Sequence, residues 1–290
     1  MIITTAEQIR NLTGSYYANN DFEKIKNIVN AVEQEISTTL SMPSLDALED
    51  AALLAAQQAV AFMATMRFYR LNDISHENAG RKVKIDKENE ARPFEWQLAR
   101  DDRAHLEEYY RALDRLIDSL QENETFRQTK LYKRTSSLIV KDADSLSYLT
   151  GLDPSPWLYL RLLPYLDESQ RFVAKAYGAG FREGMADAGE ELQHAAQMAV
   201  ALGAIALMGR RTSLQTLPYG LMKIFESDGG GNRKEAAALD RLDDYMKHLS
   251  RQQHYWLNEM KQLRDEAAGT ESPSRLQMPD NDPHNKYMRL

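Results

Sequence analysis

Residues 53–69 read LLAAQQAVAFMATMRFY, and residues 192–208 read LQHAAQMAVALGAIALM. The pattern AAQxAVA occupies 55–61 and returns at 195–201. Both stretches are apolar on nearly every helical face, which is the pattern of a helix surrounded by others. Their alanines leave room for neighbouring helices to approach closely. A bilayer span needs roughly 20 apolar residues. The apolar run at 51–66 is shorter and contains Gln57 and Gln58, so the sequence predicts the buried central helix of a soluble protein, not a membrane segment.

The repetition extends beyond this helix. At a separation of 137 residues, Ile2 and Ile3 match Ile139 and Val140, Ala6 matches Ala143, and Leu12, Thr13 and Gly14 match Leu149, Thr150 and Gly151. Phe22, Ile25, Ile28, Val29 and Ile36 fall on Tyr159, Leu162, Tyr165, Leu166 and Val173. From residue 55 the separation becomes 140, and Arg70 matches Arg210 and Gly80 matches Gly220. The slip coincides with the glycine-containing stretch GAGFREG of the second half, and loops absorb insertions most easily. A tandem duplication explains the preserved order of matches, which two alanine-rich helices of similar composition do not.

Each half reads as the same series of elements. A short apolar start (IIT, LIV) precedes a helix capped by Thr4 or Thr5 in the first half, with Glu7 and Gln8 placed for a capping box, and by Asp142 in the second. Gly14 and Gly151 stand where a glycine ends a helix. A second helix follows at 21–40 and 157–176, with apolar residues at three- and four-residue steps. The third is the opening stretch, at 46–71 and 186–210. Segments 74–86 and 214–226 place apolar residues on both sides of a glycine and read as β-hairpins or arms, with that glycine at the turn. A long amphipathic helix closes each half, at 93–120 and 233–266. The fold class expected is therefore mainly α: two tandem helical-bundle units at 1–121 and 137–266, each with a short β-hairpin or extended arm before its last helix. Residues 122–136 read as a linker and 267–290 as a flexible tail rich in Pro, Ser, Asp and Asn.

Composition narrows the function. The 290 residues carry a net charge of −7, and no long segment is basic, so sequence-specific nucleic-acid binding is not expected. KLYKR at 130–134 reads as a solvated basic cluster. The chain has no cysteine, which removes disulfides, zinc ribbons and thiol catalysis. The start, MIITTAEQIR, lacks the basic stretch and apolar core of a signal peptide.

Chemical motifs are sparse. GxGxxG, GxxxxGK[ST], GxSxG and HExxH do not occur. DGGGN at 228–232 reads as a loop. The six histidines are scattered, and no two have the i, i+4 spacing of helical metal ligands. Glu191 and His194 form one Glu-x-x-His, whereas a di-iron bundle site uses two, and the matching positions in the first half are Ala51 and Leu54. No catalytic residue, metal site or cofactor is expected. A metalloenzyme built on Glu191 and His194 is the weakest of the readings. Gln57 and Gln197, by contrast, recur at one repeat position inside an apolar helix, and each amide needs hydrogen-bond partners within its own unit.

The capped first helix, then DFEKIKNIVNAVEQEI at 21–36, then the alanine-rich helix ending in MATMRFYR at 63–70, then an extended segment, resemble the small helical head–tail connector (adaptor) proteins of long-tailed phages. With Pro93, Phe94, Glu95, Trp96 and Gln97 after the first hairpin, the chain is also similar to a prophage-encoded family of gut bacteria. The resemblance implies a non-enzymatic structural virion protein, assembled in the host cytoplasm and then part of the particle, with itself, portal and tail proteins as partners and no membrane. Contact with DNA would be passive, inside a channel. Connectors of this kind form rings of single units, so a doubled chain implies a homo-oligomer, six copies presenting twelve units. Contacts between copies are expected at the hairpins: Ile74, Gly80, Val83 and Ile85 in the first, and Leu214, Leu217, Tyr219, Gly220, Ile224 and Phe225 in the second. Tyr287, Met288 and Leu290 form an apolar tip suited to docking. A cytoplasmic helical protein-binding module is the alternative reading.

Overall fold

The computed structural model describes residues 1–16, 21–72, 75–77, 80–82, 95–212, 214–217, 220–223 and 231–269. The chain is mainly α-helical and divides into two compact units, Met1–Ser137 with Pro154–Arg161, and Leu138–Asp153 with Leu162–Leu290.

In the first unit, α1 (Ala6–Thr13) opens with a capping box: Thr5 accepts from the backbone of Gln8, and the Gln8 side chain accepts from the backbone of Thr5. Gly14 closes it in the left-handed region, at φ 68°, where a Cβ is disfavoured. Asp21 caps α2 (Phe22–Thr39), which buries Ile25, Val29, Val32 and Ile36 on one stripe. The third helix, α3 (Asp50–Asn72), starts later than the expected residue 46. Pro43 and the turn in which Ser44 accepts from the Asp46 backbone end helical continuity there. The loop instead tucks Met42, Leu45 and Leu48 into the core.

Ala55, Ala56, Ala59, Ala61 and Ala64 of α3 are all buried, and α3 packs along α1, α2 and α4 (Glu95–Leu120). From α4, Ala112, Leu113, Leu116, Ile117 and Leu120 close the core. Before it, β1 (Ser75–Glu77) and β2 (Gly80–Lys82) pair antiparallel. Gly80 faces Glu77 as the first residue of the returning strand, so it does not form the turn itself. Residues 122–136 are more than a linker. Asn123 caps α5 (Glu124–Gln128) and Thr129 caps α6 (Lys130–Thr135). Phe126 between them is buried in the unit's core, and that apolar anchor is why the segment folds.

The second unit begins with α7 (Ala143–Thr150), capped by Asp142 and closed by Gly151 at φ 71°. Next comes α8 (Pro156–Tyr177), with Pro164 in its interior; its residues through Arg161 belong to the first unit and the rest to the second. The stretch GAGFREG at 178–184, expected as loop, instead leads into a short helix α9 (Phe181–Ala186) whose Phe181 and Met185 are buried. Those two apolar residues at helical spacing supply the burial that a loop reading overlooked. As a result α10 (Glu190–Thr212) starts at 190, not 186. A second antiparallel pair, β3 (Leu214–Leu217) and β4 (Gly220–Lys223), places Gly220 opposite Leu217. The last helix, α11 (Gly231–Ala267), takes in the end of the DGGGN stretch and packs along α10.

Both α3 and α10 are long and apolar enough to cross a bilayer by length and composition, which the shorter run considered above did not suggest. Within the structure, 56% and 61% of their most apolar windows are buried.

Candidate functional site

The most specific polar feature of each unit is a clasp on its first residues. In the first unit, Gln57 of α3 donates its amide to the Ile2 carbonyl at 2.8 Å, while the Ile2 N–H donates to Glu33 of α2 at 3.1 Å. In the second, Gln197 of α10 donates to the Ile139 carbonyl at 3.0 Å, and the Ile139 N–H donates to Gln170 of α8 at 2.8 Å. Both glutamines are half-buried. The apolar neighbours Ile3, Leu138 and Val140 are buried. A segment outside helix and sheet has no ladder to satisfy its backbone, so side-chain amides and acids take that role.

An arginine fork straps the second and third helices of each unit. Arg67 bonds both oxygens of Glu35 at 2.8 and 2.7 Å, and these hydrogen bonds hold the Glu35 carboxyl below its ordinary range. Arg211 bonds both oxygens of Glu168 at 2.6 and 2.8 Å, with the same effect on that carboxyl. Relative to the sequence register, Arg211 lies one turn later than the partner position of Arg67, and Glu168 one turn earlier than that of Glu35. Each residue is displaced by about one helical turn, and the bidentate pair is kept.

Ser15 and His105 form a contact that sequence spacing gave no means of finding. The Ser15 hydroxyl lies 3.0 Å from His105 Nε2, and His105 Nδ1 lies 3.0 Å from the Asp101 carbonyl oxygen. Since Nδ1–H donates to that carbonyl, Nε2 accepts from Ser15. Tyr69 also donates to the Ser15 carbonyl at 3.0 Å. The order hydroxyl–imidazole–acid is that of an activated nucleophile. Here, however, the Asp101 carboxylate is 3.6 Å from Nδ1 and 66% exposed, and the buried ring packs edge-on against Phe62. The contact ties the end of α1 to α3 and α4. Nearby, Tyr109 is pushed up to about 12, chiefly by burial.

Of the metal candidates, His194 packs edge-on to Trp256 and to Tyr148, with ring centroids 5.4 and 6.5 Å apart. Among the described residues, no three of His, Asp and Glu converge as ligands. Of the expected contact residues, Gly80, Leu214, Leu217 and Gly220 lie on the paired strands. Ile74, Val83, Ile85, Tyr219, Ile224 and Phe225 lie outside the described residues, as do Tyr287, Met288 and Leu290.

The second unit also has a cleft of about 680 Å³ where α8 ends, α10 begins and α11 ends. Tyr177 lies across Gly184, and a Cβ on Gly184 would meet its hydroxyl at 2.2 Å. Arg264 donates to the Tyr177 carbonyl and to Asp265, and its guanidinium sits 5.6 Å from the Tyr177 ring centroid. Gln193 fixes the opposite wall by donating to the Met185 and Ala188 carbonyls, each at 3.0 Å.

Comparisons of the chain with protein-family models, with curated proteins and with solved structures return no match.

Proposed function

We propose that the chain is a non-enzymatic structural virion protein, a head–tail connector that joins portal and tail in a phage or prophage particle, built from two copies of one helical module. The observation that carries the duplication is the paired clasp: Gln57 to Ile2 and Gln197 to Ile139, each in its own unit, at matching repeat positions. The left-handed Gly14 and Gly151 and the caps at Thr5 and Asp142 support it. Two helices of merely similar composition have no reason to share a long-range bond to the matching residue of the segment that opens each unit.

In this reading each module ends in a β-hairpin arm before its last helix, and the arms around Gly80 and Gly220 make the contacts between copies. A closed ring uses heterologous contacts, and a chain with two modules needs half as many copies as units. The protein acts in the host cytoplasm during assembly and stays in the particle. Native mass spectrometry of the full-length protein alone and with the portal from the same genome tests this. A six-copy ring on the portal is the expected result, and a chain that never joins a portal overturns it.

The rival reading, a helical protein-binding module, draws on one feature of the second unit. Tyr148 and Tyr255 are 83% and 54% exposed beside the rings of His194 and Trp256. Affinity capture that returns a single host protein and no virion component would favour it.

A further inference from the structure

The cleft at the end of α11 is mostly apolar inside and acidic at its mouth. Leu192 is buried at its base and Leu263 half-buried on its wall, while Asp187, Glu190 and Glu191 are exposed at the rim. Its arginine, Arg264, is already engaged by Asp265 and the Tyr177 carbonyl, so the free charge at the opening is negative. An open cleft of this size beside fixed walls takes a few side chains, at least one of them apolar, and favours a cation next to them.

The chain itself supplies such a segment. Ala267 and Ala268 line the cleft, and α11 ends there. Residues 270–290 follow, and lie outside the described residues. In this tail, Arg275 precedes Leu276 and Met278, a cation followed by two apolar side chains at alternate positions. Leu276 is seven residues beyond Gly269, within a reach of about 23 Å for extended chain. A tether that short gives an effective concentration on the order of millimolar. We propose that residues 275–278 dock in cis into this cleft, with Leu276 and Met278 inserted and Arg275 at the rim carboxylates. The tip at Tyr287, Met288 and Leu290 has a tether of 18 residues from Gly269 and a correspondingly lower local concentration. The inference does not depend on the connector reading, because the cleft and the tail belong to one unit.

The absence of cysteine from the chain makes a direct test available. Full-length protein carrying Ala188→Cys with Leu276→Cys is oxidised at low micromolar concentration, beside pairs of Ala188→Cys with Asn281→Cys and with Tyr287→Cys. The Leu276 pair is expected to cross-link within one chain at least tenfold faster than either control. Equal rates for all three, a faster Tyr287 pair, or cross-linking only between chains overturns the proposal, the last by assigning the cleft to the tail of a second copy. A second readout needs no cysteine: in the full chain, Leu276→Asp with Met278→Asp should speed amide exchange across residues 184–192 by about fivefold or more. Unchanged exchange there also overturns it.

Discussion

Gln57 reaches from the middle of α3 to the carbonyl oxygen of Ile2, 2.8 Å away, and so fixes where the chain's first apolar residues enter the core. Ile3 behind it is fully buried. Replacing Gln57 by Ala is expected to cost about 1 kcal/mol, the net worth of one partly buried hydrogen bond. Gln197→Ala should cost a similar amount through Ile139. Urea unfolding measures both. Hydrogen exchange localises each loss to the unit that carries the substitution, and a loss spread over both units would contradict the picture of self-contained clasps.

Thr65 is fully buried in α3, and its hydroxyl has no hydrogen-bond partner among the described residues. An unsatisfied buried hydroxyl destabilises. Thr65→Val keeps the shape and β-branching and removes the polar atom. It is expected to raise stability by about 1 kcal/mol, read as a higher denaturation midpoint at unchanged slope. The matching position of the second unit is Ile205, already apolar and buried.

Gly203 of α10 lets two side chains meet across the helix. A Cβ there would lie 2.0 Å from Gln253 Nε2 and 2.4 Å from Ser169 Oγ, and those two atoms are themselves 3.4 Å apart. Alanine is the better helix former by about 1 kcal/mol, but overpacking a core costs about 1–3 kcal/mol. The clash wins, and Gly203→Ala should lose about 1 kcal/mol net. Combined with Ser169→Ala and Gln253→Ala, the same methyl should become favourable. Thermal unfolding of the single and triple variants checks the change of sign.

The arginine forks predict an acid limb. Hydrogen bonds from Arg67 lower the Glu35 carboxyl from its ordinary 4.5, and Arg211 does the same to Glu168. A depressed carboxyl contributes stability that is fully present above its unfolded value and is lost as pH falls through the folded one. Melting temperature should therefore decline as pH drops below about 4.5. Arg67→Met should flatten that decline and cost under about 1 kcal/mol at neutral pH, since the pair is largely solvent-exposed. An acid limb identical to that of the unsubstituted protein would rule out the Glu35 fork as a contributor.

The helices were legible because their signals are local. Thr5, Gln8, Gly14, Asp142 and Gly151 cap and close two helices by rules that act within a few residues. The apolar stripe of α2 needs only its own sequence. The errors arose where burial was decided by distant residues. Phe126 draws 124–128 into the first core, and Phe181 with Met185 draws 181–186 into the second, though both segments look like loop from composition. Of the site features, the amides of Gln57 and Gln197 stood out as polar residues in an apolar helix. The Ser15–His105 contact joins residues 90 apart with no periodic relation, and no sequence pattern marks it. The cleft beside Arg264 arises from three helix ends, and helix ends are placed by packing.

The Ser169–Gln253 contact over Gly203 meets a different packing at the matching positions of the first unit. At the positions paired by the repeat, the first unit carries Val32 and Met63, both buried, where the second carries Ser169 and Gly203. The first unit fills this position on α3 with methionine, and the second has glycine there, over which Ser169 and Gln253 meet. The two halves are thus not interchangeable residue by residue: moving methionine alone to 203 creates a collision, and moving glycine alone to 63 opens a void. On the proposed duplication, grafts between the halves should be tolerated better as whole helical layers than as single residues at 63 or 203.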